Sequence, residues 1–197
     1  MIIFNHIPKT AGVSFHSILY NNFKSKELLF TYGEPDPFGQ FLVSSNKAKL
    51  KVILGHFAYG LHEQFSIEKI KVSYITLLRN PVDRIVSEYY YLKSCPRGYP
   101  LFDSEIYEKK MSFEKFIRSG FSLSVDNLMV RSISGIGCEG HGSSFHVSKI
   151  VQQKKWKMIT EEDYELAKYN IKEFYSFVGL TEYFDQSMLL LKNKLKW

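Results

Sequence analysis

The chain has 197 residues, 45% of them hydrophobic and 16% aromatic. That length fits one domain of roughly 100–200 residues, and the composition supplies a core and excludes a disordered chain. A formal net charge of +6 points to an anionic partner (a nucleotide, an acidic polysaccharide, a nucleic acid or a membrane surface) without choosing among them.

In chain order, Met1 to His6 holds no basic leader followed by a long apolar run. No stretch reaches the roughly 18 apolar residues of a membrane span. The expectation is a soluble, cytoplasmic chain with no transmembrane segment. Ile2 to Asn5 predicts a short buried strand. After Gly12, the apolar positions Val13, Phe15, Ile18, Leu19 and Phe23 predict a helix over 13–23. Residues 31–46, with Gly33, Pro35, Pro37 and Gly39, read as a surface excursion.

Lys51 to Leu54, closed by Gly55, and Val72 to Leu78 predict two more strands. Pro81 suits a first helical turn, and Val82 to Leu92 continues the helix until Pro96 and Pro100. Residues 113–119 and 124–134 predict two helices, and Gly135 to Gly142 a glycine-rich loop. Thr160 with Asp163 reads as a capping box opening a helix to about Tyr175. Phe177 to Gly179 predicts a last strand, and Thr181 a cap for a helix reaching the C-terminus.

Short strands alternating with helices predict an α/β fold with a largely parallel sheet. No repeat or linker interrupts it, so residues 1–197 read as a single domain. Ligands of such sheets bind at the carboxyl ends of the strands. Three loops therefore matter, those after the first three predicted strands.

The first runs His6-Ile7-Pro8-Lys9-Thr10-Ala11-Gly12-Val13-Ser14. A helix start there offers unpaired N–H groups and the positive end of the dipole. Ala11 and Gly12 let an anion approach the backbone, Lys9 adds charge, and the Thr10 and Ser14 hydroxyls can donate. Lys9 precedes Gly12, so this is not a Walker A loop, whose lysine follows the second glycine. An ordinary strand–helix turn is the alternative reading.

The third loop carries Arg79, then Pro81, Arg84 and Ser87, then Tyr89, Tyr90 and Tyr91. Arg79 can grip a phosphate in bidentate fashion, with Ser87 completing the site. A surface salt bridge is the plainer reading of Arg79. Arg84 reads equally as an anion ligand or as a helix-surface partner of Glu88. The tyrosines read as core and groove wall.

The second loop presents His56 almost directly off a strand, with His62 and Glu63 as alternatives and a hydrogen bond to loop backbone as its plainer reading. A histidine near its reference pKa of about 6.5 can take a proton at neutral pH. His6 reads as a residue that shapes the first loop. Cys95 and Cys138 are too few for a disulfide framework and read as free thiols, with a single bridge as the alternative, and His141 and His146 lack zinc-site spacing. Lys154, Lys155 and Lys157 read as a solvated basic face.

Pro8-Lys9-Thr10-Ala11-Gly12 resembles the 5′-phosphosulfate loop of carbohydrate sulfotransferases, and Arg79 to Ser87 their 3′-phosphate element. Gly55-His56 is similar to the Gly-His pair of the uronyl 2-O-sulfotransferases that act on heparan and dermatan sulfate. Asp126 to Arg131 with Gly135, Ala167 to Asn170, and Phe177 to Glu182 extend the resemblance over most of the chain.

The resemblance implies a P-loop NTPase-like parallel sheet flanked by helices, the sulfotransferase fold. It implies an enzyme moving a sulfuryl group from 3′-phosphoadenosine 5′-phosphosulfate (PAPS) to an acceptor hydroxyl of a carbohydrate, for which an acidic glycan fits the charge. Lys9, Thr10, Ala11, Gly12, Val13, Ser14, Arg79 and Ser87 would hold the donor. His56 would be the base, Lys9 would stabilise the departing charge, and no metal is needed because cationic side chains replace it.

The chain departs from the family in three places. The family's second histidine in the His56 loop falls at Leu54. The chain begins at its first strand, without the membrane anchor of Golgi members. It stops at Trp197, without the basic segment that closes over the donor, so residues 135–146 would close the site or the chain is a truncated form. Two rival readings stand beside it: a non-catalytic binder of nucleotide or acidic glycan, and an ATP-dependent phosphotransferase, which lacks its lysine. A nucleic-acid partner is not expected, since no reading motif is present. Acceptor identity and oligomeric state are not legible.

Overall fold

The computed structural model describes residues 1–32, 49–64, 72–98, 103–118, 120, 122–136 and 159–196. Five parallel strands form one sheet: β1 (Ile2–Asn5), β2 (Leu28–Phe30), β3 (Val52–Gly55), β4 (Ser73–Leu78) and β5 (Tyr175–Leu180). Their order is β2-β3-β1-β4-β5, with β1 central. The pairing is in step: Asn5 lies opposite Gly55 on one side and Thr76 on the other.

Successive strand residues point to opposite faces, so an apolar run buried on both faces demands a helical layer on each. Ile3 and Ile53 point into one cluster, with Leu128, Ile133 and Ala167. That face is covered by α6 (Leu128–Ser134) and α7 (Glu161–Phe174). Phe4 and Leu54 point into the other, with Phe15, Leu19 and Leu191, under α1 (Gly12–Asn22) and α8 (Phe184–Leu195). The short α2 (Leu61–Gln64) follows β3, and α3 (Pro81–Ser94) follows β4. A satellite cluster joins α3 to α4 (Ser104–Tyr107) and α5 (Phe113–Arg118) through Tyr89, Leu92, Ile106 and Phe116.

The α/β class, the first, third, fourth and fifth strands, the helix after Pro81 and the Thr160–Asp163 capping box are as expected from the sequence. At α3 the Asn80 side chain accepts from Val82 and Asp83 N–H, and Pro81 occupies the first turn.

Five local expectations are corrected. Leu28-Leu29-Phe30 is an edge strand that no periodicity announces. Thr31, assigned to a surface excursion, is buried, and its Oγ1 donates to Leu54 O at 3.2 Å. Residues 33–46 of that stretch lie outside the described residues. The helix expected over 124–134 breaks at Asn127, whose φ of 54° is left-handed. A 3-10 turn precedes the break and α6 follows it. Thr181 does not cap α8, because its hydroxyl donates to Leu78 O at 2.9 Å and ties β5 to the end of β4.

Arg84 and Glu88 are buried, not a helix-surface pair. Arg84 Nη1 donates to Ser124 Oγ at 2.8 Å and Nη2 to Ser124 O, and burial pushes the guanidinium down to about 10. This leaves Arg84 facing away from the loop that Arg79 opens. Close by, Arg131 pairs with Asp126, both buried, and donates from Nε to Asp126 O at 2.7 Å. Cys95 is buried and donates to Tyr91 O, and burial raises its pKa. Cys138, His141, His146, most of the glycine-rich loop and Lys154, Lys155 and Lys157 lie outside the described residues. Among the described residues no helix is long and apolar enough to cross a membrane.

Candidate functional site

His6, His56 and Arg79 each follow directly on the last residue of β1, β3 and β4. These strands are adjacent in the sheet, so the three side chains meet at one edge. They line a cleft of about 390 Å³ with Pro8, Lys9, Ala11, Gly12, Val13, Ser87, Tyr91 and Thr181. A cleft of this size is within the range of small-ligand sites, about 300–1,000 Å³.

The floor is the turn from β1 into α1. Lys9 and Ala11 both adopt positive φ, 68° and 63°. Such conformations cost about 1–3 kcal/mol each for non-glycine residues and persist where surrounding structure holds them. Ala11 is the N-cap of α1 and offers no side-chain cap. A left-handed residue followed by a helical one turns successive N–H groups into a shared concavity, an anion-binding arrangement. The dipole of α1 adds positive potential there.

Gly12 is required by contact: a Cβ on it would lie 1.9 Å from His6 Nε2. We expect Gly12→Ala to force the His6 ring out of place and cost about 1–3 kcal/mol of stability, as overpacking does. A melting comparison with wild type checks it.

Two cations flank this floor. Lys9 Nζ stands 3.9 Å above the Tyr91 ring, a cation–π contact. Burial, and to a lesser degree the charge of Arg79, lower the Lys9 pKa, while the buried Glu88 carboxylate opposes the shift. Arg79 Nη1 donates to Lys9 O at 3.2 Å, which braces one of the two strained residues. Ser87 lies on α3, eight positions beyond Arg79, and faces the same cleft.

His56 is buried at the rim, and its Nδ1 lies 2.7 Å from the His6 carbonyl oxygen. A carbonyl only accepts, so Nδ1 carries the hydrogen and the lone pair of neutral His56 sits on Nε2. That is the tautomer a base needs.

Not every sequence-nominated residue reaches the cleft. Thr10 is fully buried and its hydroxyl donates to Ile7 O at 2.7 Å, so it shapes the turn from beneath and is not a hydroxyl donor to a ligand. Ser14 is exposed in the first turn of α1 and is not among the cleft-lining residues. Val13, nominated also for an apolar helix face, is 79% exposed at the mouth. His62 pairs with Tyr74, Nδ1 to hydroxyl 2.9 Å, in a different recess shared with Tyr59 and Phe174. The Glu63 side chain lies outside the described residues. Of the tyrosines, Tyr91 lines the cleft, Tyr89 donates to Met111 O in the core, and Tyr90 is exposed.

Sequence reasoning missed a polar layer behind the cleft. The Tyr32 hydroxyl lies 2.7 Å from His6 Nδ1 and 2.6 Å from His16 Nε2. Asn5, at the end of β1, donates to Ser132 O at 3.1 Å and to the Tyr175 hydroxyl at 2.8 Å. Thr76 Oγ1 donates to Asn5 O at 2.8 Å. A buried asparagine at a strand's carboxyl end was the available signal for the second group. Tyr32 carried none.

Comparison with known proteins identifies a family. The profile of the sulfotransferase family matches residues 1–188. Heparan sulfate 2-O-sulfotransferase 1 of Gallus gallus is 27% identical over 207 aligned positions, and that of Homo sapiens 26%. Each alignment covers 99% of this chain and 54% of the relative, so the chain spans about half the length of these curated relatives. A solved mouse sulfotransferase, SULT7A1 complexed with PAP, is 15% identical with a TM-score of 0.44, over 86% of this chain and 64% of that one.

Proposed function

The chain belongs to the sulfotransferase family, and on that premise we propose that it transfers a sulfuryl group from PAPS to a hydroxyl of a carbohydrate acceptor. One observation carries the reading. A bare helix N-terminus, two cations and a histidine in the basic tautomer share one cleft at the carboxyl edge of the sheet.

These residues fit the donor's chemistry. The concavity at Ala11–Gly12, with its uncapped helix start, suits a 5′-phosphosulfate against backbone N–H groups. Arg79 and Ser87, lining the same cleft, suit the 3′-phosphate. The donor supplies an activated sulfuryl group. The acceptor oxygen bonds to sulfur as the bond from sulfur to the bridging phosphate oxygen breaks, and that oxygen keeps the electron pair. His56 Nε2 takes the acceptor's proton. Lys9 and the α1 N–H groups stabilise charge on the departing phosphate, the preorganised electrostatics that such transfers depend on.

The acceptor class rests on the likeness to heparan sulfate 2-O-sulfotransferase 1 and on the net charge of +6. Calorimetry with 3′-phosphoadenosine 5′-phosphate, then transfer of labelled sulfate from PAPS to desulfated heparan chains, tests the proposal. We expect binding and labelled glycan. A folded protein that binds no nucleotide would overturn the donor assignment. Binding without transfer to any glycan would overturn the acceptor class or point to a non-catalytic binder.

A further inference from the structure

We propose that His6, Tyr32 and His16 form a proton wire that carries the acceptor's proton from the cleft to the outer flank of α1. The inference rests on the sulfuryl-transfer reading above and adds an exit for the proton that His56 collects.

The wire follows from counting protons. The Tyr32 hydroxyl has one hydrogen and lies within hydrogen-bond reach of two imidazole nitrogens, 2.7 Å from His6 Nδ1 and 2.6 Å from His16 Nε2. It donates to one and accepts from the other, so neutral His6 and His16 are held in complementary tautomers. In one arrangement His6 Nδ1–H donates to Tyr32 and Tyr32 donates to His16 Nε2. In the other, every hydrogen bond runs the opposite way.

The two arrangements interconvert when a proton enters at His6 Nε2. The His6 Nδ1 proton moves to the Tyr32 oxygen, the Tyr32 proton moves to His16 Nε2, and the His16 Nδ1 proton passes to water. One proton enters, one leaves, and no group is left ionised. Burial pushes the Tyr32 phenol well up, so it passes a proton while staying neutral. Burial also lowers the pKa of His16, which favours release at the outer end.

The two ends are where the chemistry needs them. His6 lines the cleft, its Nε2 lies over Gly12, and its ring centroid is 4.5 Å from that of His56. The proton that His56 takes from the acceptor crosses this short gap, directly or over one water. His16 is half-buried on α1, against Phe30 and Tyr32. When product leaves and water fills the cleft, His6 Nε2 gives up its proton there and His16 recovers one from solvent, which resets the wire. Among the described residues, the titratable groups whose rings face His6 include His56, just after β3, Tyr32, two residues after β2, and His16 on α1.

Two measurements test this. The first needs no activity. In imidazole nitrogen NMR of the whole protein, His6 and His16 should respond together in one coupled titration, and Tyr32→Phe should separate them. Independent titration of the two rings in wild type would overturn the wire.

The second is kinetic. Tyr32→Phe keeps the ring and its packing but removes the hydroxyl. It should lower kcat about tenfold, below the full contribution of a general base, with KM for PAPS unchanged. His16→Gln should do the same, the double variant should be no worse than either, and added imidazole should restore the rate. Unchanged kcat in both variants, or a change in KM alone, would reduce these contacts to packing and overturn the proposal. A wild type that sulfates no acceptor would sink the functional reading, and the NMR result would still decide whether the wire exists.

Discussion

His56→Asn is expected to lower sulfuryl transfer by about 100- to 10,000-fold, the range a positioned acid–base group contributes, while leaving nucleotide affinity near wild type. Asparagine separates the hydrogen bond that His56 makes from the base role proposed for it. Its side-chain amide can still donate to the His6 carbonyl, which His56 Nδ1 contacts at 2.7 Å, but it has no lone pair able to take a proton at neutral pH. The loss should therefore fall on kcat. Single-turnover transfer from PAPS, with calorimetry on the same samples, makes the separation. Wild-type kcat in His56→Asn would remove His56 as the base. Lost nucleotide binding would instead assign it to holding the cradle.

Arg79→Ala and Lys9→Ala should each weaken binding of 3′-phosphoadenosine 5′-phosphate by about 3 kcal/mol, roughly a hundredfold in Kd, the scale of a charge-assisted contact in a partly desolvated site. Arg79 has two parts to play. It suits the 3′-phosphate, and its bond to Lys9 O braces a residue held at φ 68°. Arg79→Lys should recover little, because an ammonium cannot contact the phosphate and the carbonyl with the planar fork that guanidinium supplies.

For Lys9 the pH dependence has a definite sign. Burial, helped by Arg79, lowers its pKa below the usual 10.5, and Glu88 only partly offsets this. The protonated form attracts the anion. Affinity should therefore fall as pH rises through that lowered value, at less alkaline pH than for an exposed lysine. Calorimetry across the alkaline range reads the fall, and in Lys9→Ala it should be absent. A pH profile that Lys9→Ala leaves unaltered would mean Lys9 does not contact the nucleotide.

The sequence by itself determined the α/β class, four of the five described strands, the cradle from Pro8 to Gly12, and the nomination of Arg79, Ser87 and His56. These features are local. A strand end, a missing cap and a helix start depend on residues a few positions apart, so their chemistry is legible in order along the chain. A histidine or arginine directly after a strand is placed by the sheet, whose parallel pairing brings the ends of β3, β1 and β4 side by side.

Tertiary structure alone decided what lies behind those residues. Tyr32 joins His6 and His16 across 26 and 16 positions of chain, and a three-residue edge strand is too short for its periodicity to announce that meeting. Arg84 could be read as an anion ligand or as a surface partner of Glu88, yet it turns into the core toward Ser124, while Arg79 lines the cleft. Arg79 leaves the end of β4 ahead of the Asn80 cap, whereas Arg84 sits inside α3, and only the packing of α3 decided that Arg84 faces inward. Thr10 and Thr181 offered hydroxyls suited to an anion and a cap, but backbone carbonyls of Ile7 and Leu78 lay nearer and claimed both. Hydroxyl chemistry is written in the residue type. Which buried acceptor needs that hydrogen is a property of the folded chain.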